Sequence, residues 1–567
     1  MPRTVGIGHQ DFATVRRRNN FYIDKTAFIR EWWENDDAVT LITRPRRFGK
    51  TLNMSMLEKF FAVSETDGTE LFEGLAIWQE EVYRRLQGTY PVIFLSFANV
   101  KENTFSQARE SICRILQEVY DKNSFLLSSG LLTDGEKEEY RKITPQMSDS
   151  AAALSLRKMS DYLERFYGKK TIILLDEYDT PIQEAYVNGF WPELTAFLRS
   201  LLNATFKTNP YMERAMLTGI TRVSKESIFS DLNNLEVVTT TSEKYADQFG
   251  FTEEEVRAAL AEYGLSGKQE EVKRWYDGFA FGDRSDIYNP WSIINYLDKR
   301  TVGPYWANTS SNSLVGTLIR EGNVQVKEAF EQLLAGESIT TELDEQIVYH
   351  QLDLDESAVW SLLLASGYLT VKKHWTEESG FGGWRKLYEL RLTNLEVRIM
   401  FAGMVKSWFA PAAGDYNTFI KAFLADDLEA MNAYMNRVAL RTFSYFDTGK
   451  GPSDQAEPER FYHGFVLGLM VELTDRYEIR SNRESGFGRY DVLLYPRKKE
   501  ADAAAILEFK VFDPRKEVSL EETVQQALKQ IEEKRYEEEL LAAGIAKEKI
   551  RKYGFAFEGK RVLIGRA

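Results

Sequence analysis

Hydrophobic and polar positions in the first 240 residues alternate between short apolar runs and longer amphipathic stretches. The short runs are rich in β-branched residues and predict strands over residues 38–43, 91–97, 171–176 and 214–220. The stretches between them have helical spacing, as in residues 51–61 and 105–120. Strands interleaved with helices predict an α/β domain with a mainly parallel sheet.

The pattern becomes mainly helical between about residues 250 and 415. Residues 251–264 read as one complete short helix, because Thr252 is followed by three glutamates, an apolar stripe and finally a glycine. Residues 291–297 and 357–369 predict further helices. We therefore expect an α/β domain over residues 1–245, a helical module over 246–415 and a last domain over 416–567.

The last region has its own order of elements. A predicted helix over residues 460–477 is followed by strands at 477–482, 490–496 and 503–512, and then by a charged helix at 520–544. This α–β–β–β–α unit is large enough to fold alone.

Composition excludes several classes of protein, among them disordered, membrane-spanning and disulfide-rich ones. The chain has 567 residues, 43% of them hydrophobic and 13% aromatic, which excludes disorder as the main state. It contains no apolar run near 20 residues and no signal-peptide pattern, and the single Cys113 excludes an internal disulfide framework. With only four histidines, a His-rich zinc site is not expected. We expect a cytoplasmic protein without membrane partners.

Charge is unevenly placed along the chain. The formal net charge is -14, which argues against a broad, sequence-independent nucleic-acid coat. Residues 1–50 nevertheless hold 10 Lys and Arg against 6 Asp and Glu. A local basic surface, such as a nuclease needs, is compatible with this balance.

The first candidate site follows the first predicted strand. Arg44–Thr51 is a turn that ends in Gly-Lys-Thr and leads into a helix, the context of a phosphate-binding loop. Lys50 would neutralise the β and γ phosphates and Thr51 would hold Mg²⁺. Arg44 stands where the usual pattern has its first glycine, and Pro45 has no amide hydrogen to donate. An ordinary basic helix cap is the alternative. The candidate ATP-binding residues in this segment are Arg47, Phe48, Gly49, Lys50, Thr51 and Leu52.

Acids at the end of the third predicted strand complete this candidate site. Asp176 is placed to order Mg²⁺ and Glu177 to polarise the attacking water, unless the strand end merely enters solvent. Thr218, on the fourth strand, is a candidate sensor of the γ phosphate. Arg222 could reach the phosphates in its own or a neighbouring subunit, or form a surface salt bridge. For Asp24 and Lys25, capping and nucleotide roles are both open.

The second candidate site lies in the last region. Asp491 starts one strand, and Glu508 and Lys510 share a face of the next, with a spacing that suits metal-assisted phosphodiester hydrolysis. Carboxylates on adjacent strands can hold Mg²⁺ or Mn²⁺, although a solvated strand edge is the usual reason for Glu-x-Lys. Further candidates are Glu459 as a metal ligand, His463, and the helix residues Gln526 and Gln530, the latter together with Tyr536.

Together these segments resemble a known family. The chain is similar to AAA-ATPase-like proteins of bacteria and archaea that carry a C-terminal PD-(D/E)XK nuclease superfamily domain. The resemblance covers nearly the entire chain and rests on FYIDKTAFI, TRPRRFGKTLNMSML, ILLDEYDTPI, LTGITRVSKESIFSDLNNL, WYDGFAFG, IYNPWSIINYL, YWANTSSN, ERFYHGFVLGLM, GRYDVLL, AILEFKV and ALKQIEEKRY.

The resemblance implies an AAA-like P-loop ATPase domain, a helical module and a C-terminal α/β domain like that of restriction endonucleases. It implies ATP-site roles for Lys50, Thr51, Asp176 and Glu177 and nuclease roles for Asp491, Glu508 and Lys510. DNA is the expected substrate, with RNA still open, and homo-oligomers and a role in defence or mobile-element biology are implied by association. The rival hypotheses are a nucleotide-dependent switch with a non-cleaving nuclease-like domain, and an ATPase that regulates proteins without nucleic acid.

Overall fold

The computed structural model describes most of the chain and divides it into two compact units. Unit 1 comprises residues 1–322 and 329–400, and unit 2 comprises residues 323–328 and 401–567. The described residues are 2–64, 68–207, 209–221, 229, 232–307, 315–316, 318–319, 324–343, 356–378, 384–408, 413–442, 473, 476–481, 484–485, 488–489, 491–558 and 561–567. The domain boundaries at residues 245 and 415 stay predictions.

The helices of the described residues are most frequent in the first three hundred positions. They are α1 Phe12–Arg17, α2 Ala27–Asn35, α3 Lys50–Phe61, α4 Glu81–Leu86, α5 Phe105–Lys122, α6 Asp134–Arg141, α7 Asp149–Tyr167, α8 Thr180–Asn188, α9 Trp191–Phe206, α10 Glu253–Glu262, α11 Gln269–Tyr276, α12 Pro290–Lys299, α13 Val324–Ala335, α14 Glu356–Ala365, α15 Leu395–Trp408, α16 Ala413–Ala425, α17 Leu428–Thr442, α18 Leu520–Glu533 and α19 Glu538–Ala542.

The strands of the described residues fall into three groups along the chain. They are β1 Val39–Thr43, β2 Val92–Ser96, β3 Thr171–Asp176, β4 Met212–Gly219, β5 Leu235–Val238, β6 Phe251–Thr252, β7 Phe279–Phe281, β8 Arg284–Tyr288, β9 Ile339–Glu342, β10 Leu369–Glu378, β11 Trp384–Leu392, β12 Tyr477–Ser481, β13 Glu484–Ser485, β14 Gly488–Arg489, β15 Val492–Pro496, β16 Ala504–Val511, β17 Ile550–Glu558 and β18 Arg561–Arg566.

The N-terminal sheet is parallel throughout and has the order β2-β3-β4-β1-β5. Its inner strands are apolar and buried on both faces, as expected for a sheet covered by helices on each side. One core lies around α5, α7 and α9, with Leu41 and Leu175 from the sheet. The other lies around α1, α2 and α3, with Ile42 and Leu174. The carboxyl ends of β1, β4 and β3 therefore lie side by side.

The middle of the chain is helical, as predicted, but also contains two small antiparallel sheets. The first has the order β6-β8-β7 and the second the order β10-β11-β9. The predicted helix over residues 251–264 is present as α10, with a capping box between Thr252 and Glu255. The predicted helix over residues 357–369 ends earlier, at Ala365, and its last residue already belongs to β10.

Unit 2 contains a mixed five-stranded sheet of order β12-β15-β16-β17-β18. The three predicted strands are present as β12, β15 and β16, and β17 and β18 extend the sheet beyond them. The predicted helix over residues 520–544 is divided into α18 and α19. Strand β16 lies in the middle of this sheet, which explains why its residues from Ala504 to Phe509 are buried.

The fold class is thus confirmed as mixed α/β, with a parallel N-terminal sheet, a helical middle and a mixed C-terminal sheet. Within the described residues, every helix is too short or too polar to cross a bilayer.

Candidate functional site

The loop between β1 and α3 forms the first candidate site. Gly49 precedes the helix with a φ of 83°, and Arg47 also has a positive φ of 66°. These two left-handed residues turn the chain so that Lys50 starts α3 and points back into the loop. Its Nζ donates to the carbonyl oxygens of Arg44, at 2.9 Å, and Pro45, at 3.0 Å. Burial lowers the pKa of Lys50, while the nearby acids Glu177, Asp179 and Asp176 oppose this shift.

Asp176 joins three elements of this site. Its Oδ2 accepts a hydrogen bond from Thr51 Oγ1 at 2.8 Å, and its Oδ1 accepts one from Thr218 Oγ1 at 2.5 Å. Because β4 lies between β1 and β3, Thr218 is between the loop and the acid. Burial raises the pKa of the Asp176 carboxyl, and the two hydroxyl donors oppose that shift. The structure thus brings Lys50, Thr51, Asp176 and Thr218 together, as their positions at strand ends predict.

Glu177 follows Asp176 with a φ of 51° and is half-buried. Its carboxylate accepts a hydrogen bond from Thr180 Oγ1 at 3.1 Å, and its backbone amide donates to Thr218 Oγ1 at 3.4 Å. A non-glycine residue in the left-handed region is uncommon and often lies at a functional site. Glu177 is therefore held at the edge of the site, next to the residues that surround Asp176.

Asp179 is a buried acid that sequence reasoning missed. Its Oδ2 accepts hydrogen bonds from the amides of Ile220 and Thr221, at 2.9 and 2.8 Å, and from Thr221 Oγ1 at 2.9 Å. Gln183 also donates to it, at 3.3 Å. The close spacing of three acids in Asp-Glu-Tyr-Asp could have indicated that one of them has a structural task. Asp179 fixes the chain where it leaves β4.

Arg44 explains how the loop tolerates an arginine where a glycine is usual. The side chain is fully buried and points away from the loop interior. Its Nη1 donates to the carbonyl oxygens of Thr43, at 3.0 Å, and Thr239, at 2.6 Å. Its guanidinium lies 4.5 Å from the ring centroid of Phe281. The residue therefore joins the end of β1 to the chain that follows β5, and burial lowers its pKa.

The rest of the loop packs against the middle of the chain. Phe48 is buried and contacts Phe279 and Phe281 edge to face. Gly367, with a φ of 85°, lies so close to Pro45 that a Cβ there would be 2.8 Å from the proline ring. Residues far apart in sequence thus hold the loop from outside, which compensates for its having a single glycine, Gly49.

The remaining sequence candidates near this site have varied environments. Arg47 is exposed, and its guanidinium lies 4.3 Å from the ring centroid of Trp291. Leu52 packs against the core around α3. Asp24 accepts hydrogen bonds from Thr26 and from the amide of Ala76, and Lys25 pairs with Glu255 at 2.7 Å. Asp24 thus holds the turn before α2, which has no side-chain cap, and a nucleotide role for Asp24 and Lys25 stays a prediction. Arg222 lies outside the described residues.

The second candidate site is in unit 2, where β15 and β16 pair. The antiparallel register aligns Val492 with Leu507, so its continuation puts Asp491 opposite Glu508. Asp491 Oδ2 accepts a hydrogen bond from the amide of Phe509 at 2.8 Å. Glu508 is 2% exposed, and Lys510 is half-buried two residues further along β16. The alternation of the strand places both on one face, as predicted.

Helix α18 contributes a further group to this site. Gln530 Nε2 donates to Glu508 Oε1 and lies 3.3 Å from the hydroxyl of Tyr536. Tyr536 is buried, and its pKa is raised by burial, with a further increase from the charges of Glu508 and Asp491. The structure therefore brings Gln530 and Tyr536 to the acids. Gln526, one turn earlier, is exposed.

Both sites have the donor chemistry that a magnesium ion requires. Hydroxyl and carboxylate oxygens of Thr51 and Asp176 meet in the first site, and in the second Asp491 and Glu508 lie opposite each other on β15 and β16. Among the described residues, no group of three or more His, Cys, Asp or Glu side chains converges on one point. Glu459 and His463 lie outside the described residues.

The first site resembles a P-loop nucleotide site, and the second resembles the carboxylate pair of a metal-dependent nuclease. Comparison with known families agrees with this. Residues 6–229 match the model of a predicted AAA-ATPase family, and residues 457–567 match the PD-(D/E)XK nuclease superfamily. The two matches, in this order along the chain, agree with the architecture that the sequence motifs predict.

A relative extends the similarity across most of the chain. It is the uncharacterized protein in the vnfD 5'region of Azotobacter chroococcum mcd 1, which is 28% identical over 401 residues. The match covers 70% of this chain and 68% of the relative. Because the match is longer than the two family matches together, it also includes parts of the chain outside both of them.

Proposed function

We propose that the chain binds and hydrolyses ATP at the loop before α3 and hydrolyses phosphodiester bonds of DNA at the Asp491–Glu508 site. The observation that carries the proposal is the meeting of Thr51 and Thr218 on one carboxylate, Asp176, beside the loop that holds Lys50. This constellation suits a nucleotide with its magnesium ion. The carboxylate pair of unit 2 suggests what the nucleotide regulates.

In the ATP site, Lys50 would leave the carbonyl oxygens of Arg44 and Pro45 and donate to the phosphates instead. Thr51 and Asp176 would hold Mg²⁺, which when bound offsets charge on the β and γ phosphates. Glu177 would accept a proton from the attacking water, and its fixed left-handed backbone keeps it at the edge of the site. Thr218, bonded to Asp176, would report the state of the γ phosphate.

In the nuclease site, Asp491 and Glu508 would hold Mg²⁺ or Mn²⁺, which supplies Lewis acidity and an activated water. Lys510 would orient that water and offset charge on the phosphate undergoing attack. Gln530 would keep Glu508 in place through the hydrogen bond from its side-chain amide, and that amide also contacts the hydroxyl of Tyr536. Cleavage by this route would leave a 5′-phosphate. Glu459 remains a candidate further ligand.

The test combines nucleotide binding and cleavage on the full chain. We expect wild type to bind ATP and Lys50→Ala to lose most of that affinity. We expect supercoiled plasmid to be cut with Mg²⁺ or Mn²⁺ and Glu508→Ala to leave it intact. Cleavage that persists in Glu508→Ala would contradict the nuclease assignment.

ATP dependence of cleavage separates this proposal from its rival. If nucleotide binding controls the nuclease, cleavage changes when ATP is added and no longer changes in Lys50→Ala. The rival is a nucleotide-dependent switch whose nuclease-like domain binds DNA or another partner without cutting. Nucleotide binding with no cleavage of DNA or RNA under any condition would favour that rival.

A further inference from the structure

The loop between β1 and α3, residues 44–49, is called the phosphate loop below. Its backbone carbonyl at Arg46 accepts hydrogen bonds from side chains much later in the chain. Trp306 Nε1 donates to it at 3.0 Å, and Asn289 Nδ2 donates to it at 3.3 Å. Asn289 also caps α12 through its Oδ1, which accepts from the amide of Trp291 at 2.9 Å. Two residues more than 240 positions from Arg46 thus fix the middle of the loop.

The position of Trp306 depends on a buried carboxylate, that of Glu396. Its Oε1 accepts hydrogen bonds from the amides of Trp306, at 2.6 Å, and Ala307, at 3.3 Å. Its Oε2 accepts one from Ser292 Oγ at 2.8 Å. The Glu396 side chain is fully buried at the start of α15, and the indole of Trp306 is 1% exposed. An acceptor with two oxygens satisfies all three donors.

The rings around Trp306 restrict it further. Phe279 contacts the indole edge to face, with ring centroids 5.5 Å apart, and Phe279 in turn contacts Phe48 of the loop at 4.8 Å. Tyr368 packs on the indole at 5.6 Å. The indole therefore has little freedom, and its N–H can keep the Arg46 carbonyl in one orientation.

We infer that Glu396 is a positioning residue for nucleotide binding, which acts through Trp306 to hold the phosphate loop open to the phosphates. The inference rests on the proposed function, because it assumes that the loop binds ATP. Glu396 itself is buried beneath Trp306 and Ser292 and acts without touching the nucleotide. In a loop with few glycines, this external hold replaces the backbone preferences that glycines usually supply.

The first test removes one hydrogen bond from the chain of contacts. Trp306→Phe keeps an aromatic ring but lacks the N–H that reaches the Arg46 carbonyl. The matched control is Trp32→Phe, since Trp32 is equally buried in the same unit and loses an N–H bond of 3.2 Å to Thr40. Nucleotide dissociation constants and melting temperatures are measured for both full-length variants.

We expect similar losses of melting temperature in the two variants but different effects on ATP. Loss of one buried hydrogen bond at the loop should weaken ATP binding about 5-fold in Trp306→Phe. KM for ATP should rise with the dissociation constant, and kcat should change less than about twofold, because the loop holds phosphates already in the bound ground state. Trp32→Phe should leave affinity and KM unchanged.

A second pair of variants tests Glu396 directly. Glu396→Ala should weaken ATP binding at least as much as Trp306→Phe. Glu396→Gln should restore most of the affinity, since its amide oxygen can accept from Trp306 and Ala307 while its NH₂ faces the Ser292 hydroxyl. Equal weakening by Gln and Ala would overturn the inference.

The outcomes distinguish the inference from the proposed function. If wild type binds ATP and Trp306→Phe binds it equally well, the inference is wrong and the proposed function stands. If Trp32→Phe weakens binding as much as Trp306→Phe, the effect reflects general loss of stability, and the inference is again wrong. If wild type binds no nucleotide, both are wrong.

Discussion

Replacing Arg44 with glycine would give the phosphate loop the residue that its usual pattern has at this position. We predict that this apparent repair makes the protein less stable and leaves ATP binding no stronger. The reason is that Arg44 is fully buried and donates to the carbonyl oxygens of Thr43 and Thr239. Glycine would leave both carbonyls without these donors and remove the packing on Phe281.

The size of the effect follows from these contacts. Each hydrogen bond from a charged donor is worth about 1.5–3 kcal/mol. Burial of the Arg44 guanidinium costs hydration energy and lowers its pKa, and the glycine variant no longer has this cost, which makes the net loss smaller. We therefore expect a loss of about 3 kcal/mol in the free energy of unfolding, near the lower end for two such bonds. That is a large part of the roughly 5–15 kcal/mol that stabilises a domain.

The assay is urea unfolding followed by tryptophan fluorescence, with Arg47→Gly as the matched control. Arg47 lies in the same loop, but it is exposed and has a φ of 66°. Glycine there would lose a contact with Trp291 worth about 0.5–1 kcal/mol and gain about as much from the positive φ. Its stability should therefore match wild type. An Arg44→Gly protein as stable as Arg47→Gly, or with tighter ATP binding, would refute the reasoning.

Three further predictions concern buried acids. Asp179→Ala should lower the free energy of unfolding by about 2–3 kcal/mol in urea, because the amides of residues 220 and 221 lose their acceptor; no change would contradict its role at the end of β4. Glu508→Gln should abolish plasmid cleavage without lowering the melting temperature, since it removes a charge from a buried position; retained cleavage would contradict its assignment. Burial raises the pKa of Glu396 to about 7, so its contribution to stability is fully present below about pH 4.5 and is lost as pH rises to about 7. In urea titrations at a series of pH values, the free energy of unfolding of wild type should therefore fall by about 3 kcal/mol relative to that of Glu396→Gln as pH rises through this window. Parallel pH profiles of the two proteins would contradict the raised pKa.

Elements with one clear apolar pattern could be predicted from the sequence. The four strands predicted for the first 240 residues lie within about two residues of their predicted bounds, since buried parallel strands are continuous apolar runs. The ribbon of β10 and β11 could not be recognised in this way. Most side chains in the outer half of this ribbon are exposed, Trp384 included at 74%, so its sequence has no apolar alternation that would predict strands. The last two strands, β17 and β18, were likewise missed after the long charged helix.

The residues proposed to bind the nucleotide were easier to predict from the sequence than the residues that hold them in place. Thr51 and Asp176 lie 125 residues apart, yet the rule that parallel strands present their carboxyl ends at one edge is sufficient to bring them together. No comparable rule connects Arg46 with Trp306, or Trp306 with Glu396, because these contacts depend on how the middle of the chain packs on the loop. A lone buried acid at a helix start has no signature in one sequence.

The support of the phosphate loop also changes how its few glycines are understood. In a glycine-rich loop, the backbone itself can adopt the turns that surround a phosphate. Here Gly49 is the single glycine between β1 and α3, and the side chains of Arg44 and Phe48 are directed outward into the same compact unit. The loop shape is therefore a property of the tertiary structure between residues 239 and 396 as much as of the loop sequence. If the loop binds ATP as proposed, a change in that middle segment would alter nucleotide binding through the loop, and nucleotide binding would act on the segment by the same contacts.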